Sequence, residues 1–269
     1  MPSVTENQAL WGGTYDWSGA GDEWSARWGS TEMQWYGAIY PRIQAFLPVD
    51  TLLEVAPGFG RWTQYLKAHC RRLVLVDLSE KCIAACRERF RGDARLEYHV
   101  NDGKSLAGVD DDSVDFVFSF DSLVHVDLGV LRAYLGETAR TLRKDGAGFI
   151  HHSNLGEHAG YHAFLRRIPR GKRTLDRLGL IDDVTPHWRD PGVTAAGFAA
   201  AAREAGLSCV GQEKVNWLCR RLIDCFSVIA RPGSRWDRPN RVRENPGFMR
   251  EATALARLAG LYGTSSFQP

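Results

Sequence analysis

Residues 52–79, LLEVAPGFGRWTQYLKAHCRRLVLVDLS, decide the fold. Thr51–Val55 is a short apolar run that closes on Ala56-Pro57-Gly58-Phe59-Gly60, a stretch of turn formers. Arg61–Cys70 can then wind as a helix with Trp62, Tyr65 and Leu66 on one face. Leu73–Val76 is a second apolar run, ending at Asp77. The alternation continues outward. Ser79 can cap a helix over Glu80–Phe90, Leu96–Val100 and Val114–Phe118 read as strands, Leu128–Leu142 as a helix and Gly148–His152 as a fifth strand. After an irregular stretch, Thr194 can cap a helix over Ala195–Ala205 that Gly206 ends, and Leu207–Asn216 and Leu222–Ala230 follow as two strands able to pair antiparallel. Strands alternating with helices predict an α/β fold: a doubly wound, mostly parallel, seven-stranded sheet with an antiparallel edge strand.

Four zones are expected: a Trp-rich helical cap over 1–50, a core domain over 51–230, a lid insertion over 155–192 within it, and a basic tail over 231–269. The composition of the 269 residues, 44% hydrophobic and 25% charged, excludes a largely disordered chain. No apolar run approaches the ~20 residues of a membrane helix. Met1–Leu10 lacks the basic-then-apolar order of a leader, so a cytoplasmic location is expected. The six cysteines form no C-x-x-C pair and read as reduced thiols. A net charge of +2 does not by itself point to nucleic acid.

A glycine turn after the first strand, answered by an acid at the end of the second, is a nucleoside-binding pattern. The backbone can approach the ligand closely, and the carboxylate can accept hydrogen bonds from both ribose hydroxyls. The dinucleotide fingerprint fails at Thr63, and no Walker A sequence occurs. Residues 51–152 instead resemble the class I S-adenosylmethionine (SAM) methyltransferases, a Rossmann-like family. Glu54, Ala56, Gly58 and Gly60 match its first motif, with Ala56 in place of the usual first glycine; Ser122–Val126 and Leu142–Gly146 are similar to two later segments.

The resemblance implies SAM as cofactor. Glu54, Ala56, Pro57, Gly58 and Gly60 would shape the methionine end and Asp77 would hold the ribose. Leu78 would pack on the adenine, Asp102 with Gly103 would recognise its amine, and Ser119 and Phe120 would lie toward the methionine end. It further implies a small-molecule acceptor, a hydroxyl of a sugar or glycosylated natural product. The alternatives are an N-methyltransferase or RNA methyltransferase and, from another class, a non-catalytic nucleoside-binding module. Nucleic acid and membrane are not the expected partners, and a homodimer is left open.

An alcohol must lose its proton as the new bond forms, and histidine suits that role near neutral pH. His152 is favoured as the base, with His125 and Asp121 as alternatives. Adjacent His151 and His152 should face opposite sides of the strand, so one of the two should reach the substrate. Asp110-Asp111-Asp112 precedes the fourth strand at its amino end and reads as a solvated turn, so no metal is expected. Tyr161–Leu180 carries six Lys/Arg against Asp176, and Arg231–Arg250 carries six arginines against Asp237 and Glu244. Arginine pairs phosphate through parallel N–H donors, which makes Arg166 and Arg170 candidates for an anionic acceptor. Trp24, Trp28, Tyr36 and Tyr40 are candidate walls, since flat aromatic faces stack on sugar rings.

Overall fold

The computed structural model describes residues 3–168, 172–184 and 188–262. Eight strands form one sheet: β1 (Val49–Val55), β2 (Cys70–Asp77), β3 (Leu96–Val100), β4 (Val114–Ser119), β5 (Leu142–Ser153), β6 (Ser208–Val215), β7 (Asp224–Ala230) and β8 (Arg241–Asn245), in the order β3-β2-β1-β4-β5-β7-β6-β8. β1 to β5 run parallel, β7 runs antiparallel to both β5 and β6, and β8 runs parallel to β6. The doubly wound α/β expectation holds, with two differences. There is an eighth strand, and the antiparallel strand is interior rather than at an edge. β8 comes from the stretch read as a basic tail. Four of its five residues are exposed, so it carries no apolar alternation to read. It is held by backbone pairing and by Asn245, whose amide donates to Glu213 at 2.7 Å. A short charged edge strand also resists pairing with other chains.

Side chains alternate across the sheet as the two-residue period requires. Leu52, Leu73, Leu75, Phe116, Phe118 and Phe149 face one layer. Leu53, Val74, Val76, Val117 and Ile150 face the other. The first layer is filled by Trp35, Ile39, Ile43 and Phe46 from the helical stretch 31–46, and by Phe248 and Ala252 from the helix Phe248–Tyr262. The stretch 31–46 is not one continuous α-helix; it widens into a π turn at Trp35–Ile39 and ends in a 3-10 turn at Gln44–Phe46. The second layer is filled from the helices Leu128–Thr141 and Ala195–Glu204. Each large side chain removed from water here contributes roughly 1.5–3 kcal/mol. Helix starts follow the expected chemistry: Ser79 accepts from the Cys82 N–H and Thr194 from the Gly197 N–H. The stretch Arg61–Cys70 is shorter than expected, one helical turn at Thr63–Leu66 and a 3-10 turn at Lys67–His69, because Cys70 already belongs to β2.

The acidic run at the amino end of β4 anchors neighbouring elements. Asp111 pairs with Arg140 and Asp112 with Arg231. No helix among the described residues is long and apolar enough to cross a membrane.

Candidate functional site

β1 leaves the sheet through three left-handed residues, Ala56 (φ +59°), Gly58 (φ +57°) and Gly60 (φ +84°). A Cβ at Gly60 would lie 2.5 Å from the Phe90 ring. Ala56 adopts the same left-handed region despite its side chain, at a cost of about 1 kcal/mol or more. Asp77, at the end of β2, faces this turn. Its carboxylate accepts from the Gly58 N–H at 3.1 Å and from the Ser79 N–H at 2.8 Å. Burial raises its pKa to about 6 against the pull of those backbone donors. The glycine turn and the acid thus meet, as the nucleoside reading requires.

A cavity lies beyond the carboxyl ends of β1, β2 and β4, the place where ligands bind in such sheets. Of the expected cofactor residues, Ala56, Pro57, Gly58, Asp77, Leu78, Gly103 and Phe120 line it. Four others do not. Glu54 lies beneath the turn, accepts the Thr63 hydroxyl at 2.6 Å and has its pKa pushed up to about 8 by burial. Gly60 packs on Phe90. Ser119 is buried in the sheet. Asp102 turns its carboxylate onto the Lys104 and Ser105 N–H groups, so its loop presents the Gly103 backbone instead.

The tryptophan-rich amino terminus closes the cavity. Trp17 stacks on Phe59 with centroids 4.5 Å apart and planes 3° apart. Asn7 donates to the His125 carbonyl at 3.2 Å, and Trp11 donates its indole N–H to Asn7. Arg61, which directly follows the glycine turn, is 4% exposed. Its guanidinium lies over Trp24 and Trp62 and pairs with Asp121 at 2.9 Å. Sequence reading missed Arg61, Trp11 and Trp17; the clustering of tryptophans was the one available signal. Of the proposed aromatic walls, Trp24 lines the cavity. Trp28 is buried against Trp217 and Phe248, Tyr40 stacks on His69, and Tyr36 is exposed.

A second chamber adjoins the first and shares Trp11, Trp24, Asp121 and His125 with it. Its other walls include Tyr15, Trp188, Arg189 and Trp217. Asp121 and His125 therefore stand where the two spaces meet.

The histidines at the strand ends separate clearly. His151 and His152 do face opposite sides. The His152 ring stacks on Phe198 with centroids 4.0 Å apart, and its nitrogens bond to the Ser153 carbonyl and the Ser227 hydroxyl. It is fully buried and lines neither space, and burial lowers its pKa to about 3. The favoured base is thus a core residue beneath the helix Ala195–Glu204. His151 is also fully buried; its Nδ1 accepts from the Asp121 N–H at 3.1 Å, so Nε2 donates to Asp224 at 3.0 Å. Arg189 grips the same carboxylate with two bonds of 2.7 Å. His125 differs. Its Nδ1 lies 2.9 Å from the Trp188 carbonyl and must donate, which leaves Nε2 with a lone pair and no protein partner among the described residues. Burial and then Arg189 lower its pKa to about 4, so it is neutral at pH 7.

Among the described residues no group of three His, Cys, Asp or Glu side chains could hold a metal. Arg166 lines a separate groove next to the chamber. Arg170 lies outside the described residues.

Residues 52–146 match a family described as a methyltransferase domain. The chain is similar to ribosomal RNA small subunit methyltransferase A of Geobacter metallireducens, 42% identical over 50 residues, which is 19% of this chain and 18% of that protein. It is similar to nodulation protein S of Rhizobium tropici, 26% identical over 100 residues, which is 37% of this chain and 41% of that protein. The matches thus span less than half of either relative. The fold is shared with the crystal structure of the N-methyltransferase NodS from Bradyrhizobium japonicum, at a TM-score of 0.50 and 15% identity, covering 75% of this chain and 97% of that one. Residues 52–146 are therefore a methyltransferase domain, in agreement with the motif resemblance, and the sheet around them has the fold of that class.

Proposed function

We propose that the chain is a SAM-dependent methyltransferase that acts on a nucleophile of a small molecule held in the second chamber. The cofactor residues fit the group: a buried carboxylate and a glycine turn face one cavity, and a Cβ on Gly58 would already press on Trp17 at 3.0 Å. Asp77 would hold the ribose hydroxyls. Leu78, Gly103 and Tyr134 would surround the adenine, and the Ala56–Gly58 turn and Phe120 would border the methionine end. When bound, SAM supplies an electrophilic methyl group on a sulfonium. The protein's task is then alignment and proton removal.

The observation that carries this reading is His125, set between cofactor cavity and chamber with its Nε2 lone pair unengaged. It replaces His152 as the proposed base. Asp121, fixed by Arg61 and by its N–H bond to His151, would orient the acceptor. The acceptor atom we favour is a hydroxyl oxygen of a sugar or glycosylated metabolite, supported by the aromatic chamber walls Trp11, Trp24, Trp188 and Trp217. An amine is the second reading, favoured by the fold shared with NodS.

Calorimetry with S-adenosylhomocysteine and turnover of labelled SAM on a panel of glycosides and amines test both parts. His125→Gln should leave S-adenosylhomocysteine affinity within about twofold and lower turnover by about 10²–10⁴-fold. Wild-type turnover in that variant would remove His125 from the mechanism. Binding without turnover on any acceptor would favour the non-catalytic module.

A further inference from the structure

Next to the acceptor chamber lies a groove of about 650 Å³ that the methyl-transfer chemistry does not use. Leu10, Trp188 and Arg189 line both spaces, whereas the groove shares no residue with the cofactor cavity. Shared walls therefore join the cofactor cavity to the chamber and the chamber to the groove. The groove takes His162 and Arg166 from the helix Ala159–Arg166 and Lys172 from the helix Lys172–Arg177. Two segments of the insertion thus bring three basic side chains to one concave surface.

The charge of this surface is unbalanced. Among the described residues, the Arg166 guanidinium and the Lys172 ammonium have no ion-pair or hydrogen-bond partner. The one carboxylate among the described lining residues, Glu6, keeps its negative charge: it accepts from the Ser3 N–H at 2.6 Å, which lowers its pKa, and completes the capping box of the first helix. Arg189 is committed to Asp224. The His162 pKa is lowered first by burial and then by Arg166 and Lys172 themselves, against the opposing carboxylate of Asp183. Two cations without an ion-pair partner, set against one carboxylate, leave the groove net positive beside the His162 imidazole and form a receptor for a compact anion. Charge-assisted bonds from guanidinium and ammonium are about twice as strong as neutral ones. At the boundary with the chamber, Trp188 is 49% exposed, and its ring offers a flat apolar face to whatever passes between the two spaces.

We infer that the groove seats a phosphoryl or diphosphoryl group carried by the acceptor, with Arg166 and Lys172 supplying charge and His162 an N–H donor. The acceptor is then an anionic, phosphate-bearing molecule whose reacting end lies in the chamber by His125 and whose phosphate lies in the groove. The word acceptor rests on the methyltransferase reading; the anion site does not.

The test is calorimetry of the full chain with inorganic pyrophosphate and, separately, with S-adenosylhomocysteine. It uses the wild type and the Arg166→Gln/Lys172→Gln double variant, at low and at raised salt. Pyrophosphate should bind the wild type and weaken severalfold as salt screens the site. It should weaken by about tenfold or more in the double variant, with S-adenosylhomocysteine affinity unchanged in both proteins. Absence of pyrophosphate binding, or equal binding by wild type and double variant, overturns the inference. Failure of the wild type to bind S-adenosylhomocysteine would instead count against the methyltransferase reading and leave the anion site standing or falling on its own titration.

Discussion

Asp224→Asn is the substitution whose consequence the structure specifies most fully. The Asp224 carboxylate is 0% exposed and serves two partners: it accepts two bonds of 2.7 Å from Arg189 and one of 3.0 Å from His151. Arg189 is 5% exposed. Asn keeps the shape but removes the charge, which leaves a buried guanidinium facing a neutral amide. Breaking one side of a buried pair costs about 3–5 kcal/mol. Asn can still accept one bond, so about 3 kcal/mol is expected. For a chain of this size that lowers Tm by about 6–12 °C.

The pH dependence supplies a second readout. Arg189 and the His151 hydrogen bond hold the Asp224 pKa below the ordinary carboxylate range despite the opposing effect of burial. A carboxylate with a depressed folded-state pKa contributes stability that is fully present above its unfolded value, about 3.9, and is lost as pH falls toward the folded value. The Tm gap between wild type and Asp224→Asn should therefore be constant from about pH 6 to 8 and narrow below about pH 4. Scanning calorimetry across that range measures it. A Tm within about 1 °C of wild type at pH 7, or a gap that widens on acidification, would refute the reasoning.

Gly60→Ala meets both a left-handed backbone (φ +84°) and the Phe90 ring at 2.5 Å, so it should destabilise the chain by about 2–4 kcal/mol in urea unfolding. An unchanged urea midpoint would mean that the turn relaxes freely. Asp77 has a pKa raised to about 6, so its ionised form, the better acceptor for ribose hydroxyls, is depleted as pH falls through 6. S-adenosylhomocysteine affinity should weaken by up to about tenfold between pH 7 and 5, and Asp77→Asn should bind weakly at both. A flat profile in the wild type would separate Asp77 from the ribose.

Short-range chemistry was legible in the chain. The run Leu52–Val55, the turn Ala56–Gly60 and Asp77 at the end of the next strand describe a local β-α-β unit, and the structure brings turn and carboxylate together through Gly58. The caps Ser79 and Thr194 are readable for the same reason: a hydroxyl reaches an N–H three residues away. β8 was not legible, because an exposed edge strand held by backbone pairing carries no hydrophobic period.

What the sequence determined by itself is the first half of the sheet: its β-α-β alternation, its glycine turn and the acid that ends the second strand are set by neighbours along the chain. The tertiary structure alone decided the surroundings of the histidines beside it. His125, His151 and His152 are the same residue type within one short region, and sequence ranked them by position. Their surroundings are assigned by distant partners: Trp188 leaves His125 a lone pair, Asp224 and the Asp121 N–H occupy both nitrogens of His151, and Phe198 stacks over His152. Desolvation and hydrogen-bond partners fix a proton's position, and both are properties of three-dimensional packing that no local pattern encodes.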